Sequence, residues 1–205
     1  MKVAAFSDSH NYHHMLTIPE VDLLVSAGDW TNWGGLGEIQ NFLDWVAVQP
    51  VKYKVITAGN HDIAADEQRP LVKLMCKERG IHILYDEMIK LEDKRIYGSP
   101  RTPEYGSYAF MYDRAEMGIW KDLPKKLDLL ITHGPPMGVL DDTRGIHAGC
   151  HDLMVAVAEK KPRFHVFGHI HQGHGALEKD TTQFYNVAVF NPQLGLCHTP
   201  TLFEI

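Results

Sequence analysis

Residues 53–62 read Tyr53-Lys54-Val55-Ile56-Thr57-Ala58-Gly59-Asn60-His61-Asp62, a pattern that sets the architecture of the chain. A β-branched, mostly apolar run, Tyr53–Ala58, stops at a glycine and is followed at once by an amide, an imidazole and a carboxylate. Short runs of this kind, bounded by Gly or Pro, fit buried strands. The same arrangement recurs four times. Val3–Phe6 runs into Ser7-Asp8-Ser9-His10, and Leu23–Val25 leads through Ser26 and Ala27 to Gly28-Asp29. Leu127–Thr132 leads to His133-Gly134-Pro135-Pro136, and Phe164–Phe167 to Gly168-His169-Ile170-His171.

Helical stretches lie between these runs. Leu36–Val48 places Leu36, Ile39, Phe42, Leu43 and Val46 at three- and four-residue spacings. Leu71–Arg79 stops at Gly80, and Cys150–Lys160 stops at Lys161-Pro162. Strands alternating with helices predict a largely parallel α/β core. Glu87–Leu91 with Arg95–Gly98, and Gly175–Leu177 with Gln183–Val187, read as hairpins of a second sheet toward the C-terminal half. No repeat, low-complexity tract or linker interrupts residues 1–205, which reads as a single domain. In open α/β sheets ligands bind beyond the carboxyl ends of the strands. Any one of these turns alone could be an isolated loop with a satisfied histidine; five of one kind point to a shared cleft.

Composition agrees with that reading. Thirteen histidines stand against five serines, and imidazole is the commonest metal ligand and titrates near neutrality. The net charge of −6 argues against a general binder of nucleic acid or anionic membrane. Three scattered cysteines with no CxxC pair suggest a reducing compartment. The short apolar start before Ser7 and the lack of a long apolar run lead us to expect a cytoplasmic protein.

The donor inventory is Asp8, His10, Asp29, Asn60, His61, His133, His169 and His171. Oxygen and imidazole donors without thiolate suit Mn²⁺, Fe, Zn²⁺ or a similar ion. They are too many for one closed site and suit two metals sharing a bridging carboxylate.

In this order, Asp-x-His, Gly-Asp, Gly-Asn-His-Asp, His-Gly and Gly-His-x-His resemble the calcineurin-like metallophosphoesterases, over Asp8 to His171. Ile96–Pro100, Thr132–Pro136, Gly149-Cys150 and His165–His171 bring the chain nearest the metallophosphoesterase-domain-containing subgroup. The resemblance implies two packed β-sheets flanked by helices, an αββα sandwich. It implies two divalent ions (Mn, Fe, Zn, Ni, Co or Mg, with Mn favoured). One would be held by Asp8, His10, Asp29 and His171, the other by Asp29, Asn60, His133 and His169. A hydroxide between the ions would attack phosphorus, His61 would protonate the leaving oxygen, and Asp62 would orient the His61 ring. The first Asp-x-His is followed by Asn11 where many members have glycine; asparagine tolerates the left-handed backbone that glycine supplies.

Arg101, Trp30 and Asn11 are the candidate substrate contacts. Trp33, Tyr105 and Tyr108 could likewise stack on a ring or simply pack. Asp141, Asp142 and Arg144 default to solvated loop charge, and Gly34-Gly35-Leu36-Gly37 to a turn entering a helix. His13, His14, His147 and His174 adjoin the motifs and are expected near the pocket, whereas His82, His151, His165 and His198 are assigned to core or surface. The expected activity is hydrolysis of small phosphodiesters or cyclic nucleotides. Its alternatives are a catalytically weak metal- or nucleotide-binding scaffold and a phosphomonoesterase or protein phosphatase on the same core. A nuclease is disfavoured by the acidic charge and the lack of length for a further domain, so no stable nucleic-acid binding is expected. Oligomeric state is left open.

Overall fold

The computed structural model describes residues 1–116, 118–191 and 195–205. Four strands, β1 (Lys2–Phe6), β2 (Leu23–Ser26), β3 (Tyr53–Ile56) and β4 (His82–Ile83), run parallel in that order, and Thr201–Glu204 pairs antiparallel on the outer side of β1. The second sheet is built from β5 (Glu87–Leu91), β6 (Lys94–Ser99), β7 (Leu129–Thr132), β8 (Phe164–Phe167), β9 (Gly175–Lys179) and β10 (Thr182–Asn186). Its order is β9-β10-β8-β7-β6-β5. The β6–β7, β7–β8 and β8–β10 pairs are parallel, while the two predicted hairpins form its antiparallel edges.

Alternation along the strands explains the layering. Val3 and Ala5 face inward with Leu23, Val25 and Val55, and pack against Ile96, Leu129, Ile131 and Val166 of the second sheet. Ala4, Phe6, Leu24 and Ile56 face the other way, onto α1 (Leu36–Ala47), α2 (Ile63–Glu67) and α3 (Arg69–Glu78). On the far side of the second sheet, Leu130, Phe167 and Phe184 meet Leu153, Ala156 and Val157 of α4 (His151–Lys160). The αββα sandwich is therefore present. No helix among the described residues is long and apolar enough to cross a membrane.

Local chemistry sets the helix ends. Gly35 caps α1, and the Glu38 carboxylate three residues on accepts the Gly35 N–H at 3.2 Å. Pro70 lies in the first turn of α3, which starts two residues before the predicted Leu71 because proline there sacrifices no helical hydrogen bond. Cys150 belongs to the cap rather than the helix, its sulfur accepting the Leu153 N–H at 3.2 Å. Residues 63–67, helical in the structure, were not predicted to be so.

One core histidine has a consequence for stability. His165 is fully buried on β8, in edge contact with Phe167, and its Nε2 meets the Thr132 hydroxyl at 2.8 Å while Nδ1 has no partner. Burial pushes its pKa down to about 3. The folded state therefore refuses a proton that the unfolded chain accepts below about pH 6.5. Stability should fall by up to about 1.4 kcal/mol per pH unit from there down toward pH 3. We expect His165→Phe to flatten that acid limb in urea melts at pH 7, 6, 5 and 4, and an unchanged slope would assign the limb to other groups.

Candidate metal centre

The five donor-bearing turns divide three and two between the sheets, and their own backbone brings them together. The Asp8 loop runs along the Asp29 loop through Asp8 N–H to the Gly28 carbonyl (2.9 Å), His10 N–H to Asp29 (3.1 Å) and Asn11 N–H to Trp30 (2.8 Å). Across the sheets, the His133 ring donates from Nδ1 to the Ala27 carbonyl at 2.8 Å, and the Asp8 carboxylate accepts the His169 N–H at 2.9 Å. Asp8, His10, Asp29 and His169 all have positive φ (54°, 41°, 53° and 66°). Such conformations cost about 1–3 kcal/mol each and persist where surrounding structure enforces them, commonly at functional sites. Asn11, at φ 70°, confirms the left-handed turn expected of it.

Glycine is obligatory where the second sheet meets Asp8. A Cβ on Gly168 would land on the Asp8 carboxylate and the Ser7 hydroxyl. Gly168→Ala should therefore displace Asp8 and weaken divalent-metal binding by about ten- to a hundred-fold, as loss of a ligand's support does. Metal titration of the folded variant, with circular dichroism as the folding control, checks this; wild-type affinity would contradict it.

Three donor groups result. One ligand atom from each of Asp8, His10 and His171 lies within 4.8 Å of the others, and the same holds for Asp29, His133 and His169, and for His10, Asp29 and His61. The Asn60 side-chain oxygen joins the second group, 2.8 Å from His133 Nε2. Asp29 spans the centre: Oδ1 is 3.4 Å from His133 Nε2, and Oδ2 is 3.9 Å from His10 Nε2.

The donor set fits divalent cations. His10 presents Nδ1 to the Thr31 carbonyl at 3.2 Å, so Nε2 is the unprotonated nitrogen, buried and without a hydrogen-bond partner. His133 likewise commits Nδ1–H to Ala27, leaving Nε2 to face two oxygens, those of Asn60 and Asp29. Oxygens and imidazole nitrogens gathered this closely need positive charge among them, which a proton on His133 Nε2 supplies and a bound cation would supply in its place. Burial works against ionisation of both carboxylates, yet the His171 hydrogen bond and charge hold Asp8 down at about 2, and His133 holds Asp29 well below the usual carboxylate range. Burial would lower His133, but Asp29 outweighs it and raises it to about 9. His169, buried and beside His133, is pushed down to about 3 and remains a neutral donor.

The predicted auxiliary residues are placed differently. Asp62 does not orient the His61 imidazole. Its carboxylate accepts the N–H groups of Trp30 (3.1 Å), Thr31 (3.2 Å) and Gly59 (2.8 Å), clamping the Asp29 loop to the Asn60 loop. His61 is oriented instead by Nδ1 against the Asn32 carbonyl at 3.0 Å, which leaves Nε2 toward the cleft. Trp30 is wholly buried and stacked on Phe42 at 4.9 Å, so it offers no face to a substrate. Arg101 is tied to Asp86 at 2.9 Å, and Asn11 donates to Glu38; neither lines the cleft. Asp141 is buried, not solvated, and accepts from Gly138, Gly149 and His147. None of His13, His14, His147 and His174 lines the cleft either; His13 packs against Phe42 and Trp45, and His174 stacks on His198 at 3.7 Å.

Above the donors opens a cleft of about 580 Å³. Phe190 reaches it beside His10 and His171, and Tyr105 beside His169. Tyr105 stacks on Tyr108 at 5.3 Å, and Tyr108 lies 5.3 Å from the His61 ring. Arg114 is the single Lys or Arg among the lining residues described. Phe190 and Arg114 escaped sequence reasoning because no motif or periodicity marks them.

Comparison with known proteins agrees with this geometry. Residues 1–173 match the family model of the calcineurin-like phosphoesterases. A UPF0046 protein of Caenorhabditis elegans is 35% identical over 219 residues, covering 100% of this chain and 75% of the relative. Human metallophosphoesterase domain-containing protein 1 is 34% identical over 225 residues, covering 97% of this chain and 69% of the relative. Among solved structures, phosphopantetheinyl hydrolase from Mycobacterium tuberculosis superposes with a TM-score of 0.64 at 16% identity, covering 94% of this chain and 90% of that one.

Proposed function

Since the chain belongs to the calcineurin-like phosphoesterase family, whose chemistry is metal-dependent phosphoester hydrolysis, we propose that it is a two-metal phosphodiesterase of small diesters or cyclic nucleotides. The observation carrying this reading is the shared carboxylate: Asp29 turns one oxygen toward each donor set, with His61 beside it. Asp8, His10, Asp29 and His171 would hold one ion, and Asp29, Asn60, His133 and His169 the other. Divalent ions held by these residues would supply an activated water and offset charge on the phosphoryl oxygens. Manganese is the favoured metal for this oxygen-and-imidazole set.

His61 supplies the proton. With Nδ1–H on the Asn32 carbonyl, a protonated ring presents Nε2–H to the cleft. As the bond from phosphorus to the leaving oxygen breaks, that proton passes to the oxygen and a free alcohol departs. Asp62 acts by holding the two loops in register. Aromatic side chains beside both donor sets, Phe190 and Tyr105, give each ester arm of a diester an apolar surface. The acidic net charge of −6 favours small substrates over nucleic acid, and three free cysteines suit a cytoplasmic setting.

The test is a matched panel of mono- and diesters, including 2′,3′- and 3′,5′-cyclic nucleotides, with Mn²⁺-loaded protein. Higher kcat/KM on diesters is expected. Preference for monoesters would make it a phosphomonoesterase, and tight nucleotide binding without turnover would make it a scaffold.

A further inference from the structure

We propose that Tyr105 is a further catalytic residue, its phenolic O–H donating a hydrogen bond to a non-bridging phosphoryl oxygen of the substrate. The inference rests on the two-metal reading above. Tyr105 lies in the loop between β6 and β7, and two independent contacts fix that loop to Asn60. The Ala109 N–H donates to the Asn60 backbone carbonyl at 3.0 Å, and the Asn60 Nδ2–H donates to the Tyr105 hydroxyl at 2.9 Å. The ring itself is held between His169, at 5.3 Å, and Tyr108, at 5.3 Å and nearly parallel.

Asn60 sets which end of the Tyr105 hydroxyl it engages. An asparagine can ligate a cation only through its oxygen. Asn60 aims that oxygen at the second donor set, so its NH₂ end must face Tyr105. The phenol oxygen is thereby the acceptor of that bond, and its own hydrogen must turn elsewhere. No protein acceptor for it exists among the described residues, and Tyr105 lines the cleft. A cation on the Asn60 oxygen polarises the amide and strengthens the bond to the phenol. Metal loading would therefore keep the phenol oxygen as acceptor and leave its O–H to turn into the cleft that Tyr105 lines. A phenol, with an ordinary pKa of about 10, keeps that proton at neutral pH.

The motif residues of this reading lie on strand exits; Tyr105 lies on none, so nothing in the motif order assigns it a role. Removing a preorganised donor to developing negative charge typically costs about ten- to a thousand-fold in rate.

Tyr105→Phe is the test, since it deletes only the hydroxyl. At saturating Mn²⁺ we expect kcat to fall by about ten- to a hundred-fold and the affinity of the loaded protein for inorganic phosphate, measured by calorimetry, to fall in parallel. On a phosphorothioate diester, one diastereomer places sulfur, a weak acceptor, where the phenol reaches; on that isomer the wild type should lose its advantage over the variant. Three results would overturn the assignment: unchanged kcat and phosphate affinity, a defect cured by excess Mn²⁺ (which would make Tyr105 a support for Asn60 only), or equal defects on both diastereomers. Absence of turnover by the wild type on every ester would instead refute the phosphoesterase reading, and phosphate calorimetry would still read the Tyr105 contact.

Discussion

Asp29→Ala is expected to lose both metal ions and at least about 10³-fold in kcat/KM, because metal ions contribute several kcal/mol to such reactions and each 1.4 kcal/mol is tenfold. Its two oxygens are divided between the donor sets, 3.4 Å from His133 and 3.9 Å from His10. Its Oδ1 also accepts the His61 N–H at 2.8 Å, so the same carboxylate fixes the turn that presents the proton donor. Truncation thus removes one charge from two sites, whereas His171→Ala touches only the set containing Asp8 and His10. Metal analysis after equilibration with Mn²⁺, alongside diester kinetics, separates the two variants. One ion retained by Asp29→Ala, with activity above a tenth of wild type, would mean that the donor sets work independently.

The second large effect concerns His61→Gln. General-acid assistance is worth about 10²–10⁴-fold, but only where the leaving oxygen needs a proton. A diester with a simple alkoxide leaving group should lose that full factor. A nitrophenyl diester, whose leaving group departs as a stable anion, should lose about tenfold or less. The contrast matters because His61 also falls within 4.8 Å of His10 and Asp29 and so could serve as a ligand. A ligand role would lower both substrates equally and reduce metal content. The steep leaving-group dependence, with two ions retained, is the signature of the acid.

Much of this was legible in the chain because the donors follow strands whose composition is strongly local. Val3–Phe6 and Phe164–Phe167 end where apolar residues give way to Asp, Gly and His, and both strands are found there. Partition of the exits between two sheets was not legible. Hydrogen-bonded pairing of Leu129–Thr132 with Phe164–Phe167, rather than with Tyr53–Ile56, is a long-range choice that no spacing encodes. Burial was equally hidden for the tryptophans: Trp30 is sealed while Trp33, three residues on, is 85% exposed. The resemblance alone assigns Asp62 to the His61 ring; in the structure the N–H groups of Trp30, Thr31 and Gly59 take its carboxylate instead, a demand that no motif displays. Tyr105 reads from the sequence only as an aromatic, since its bond to Asn60 crosses 45 residues of chain.

The proposed site depends above all on Asp29 bridging two ions. Electron paramagnetic resonance of the protein loaded with two equivalents of Mn²⁺ tests it most directly, because ions joined by one carboxylate are close enough to couple their spins. A multiline, spin-coupled signal that disappears in Asp29→Ala is expected. A simple six-line spectrum of isolated Mn²⁺ in the wild type, at one or at two ions per chain, would contradict it.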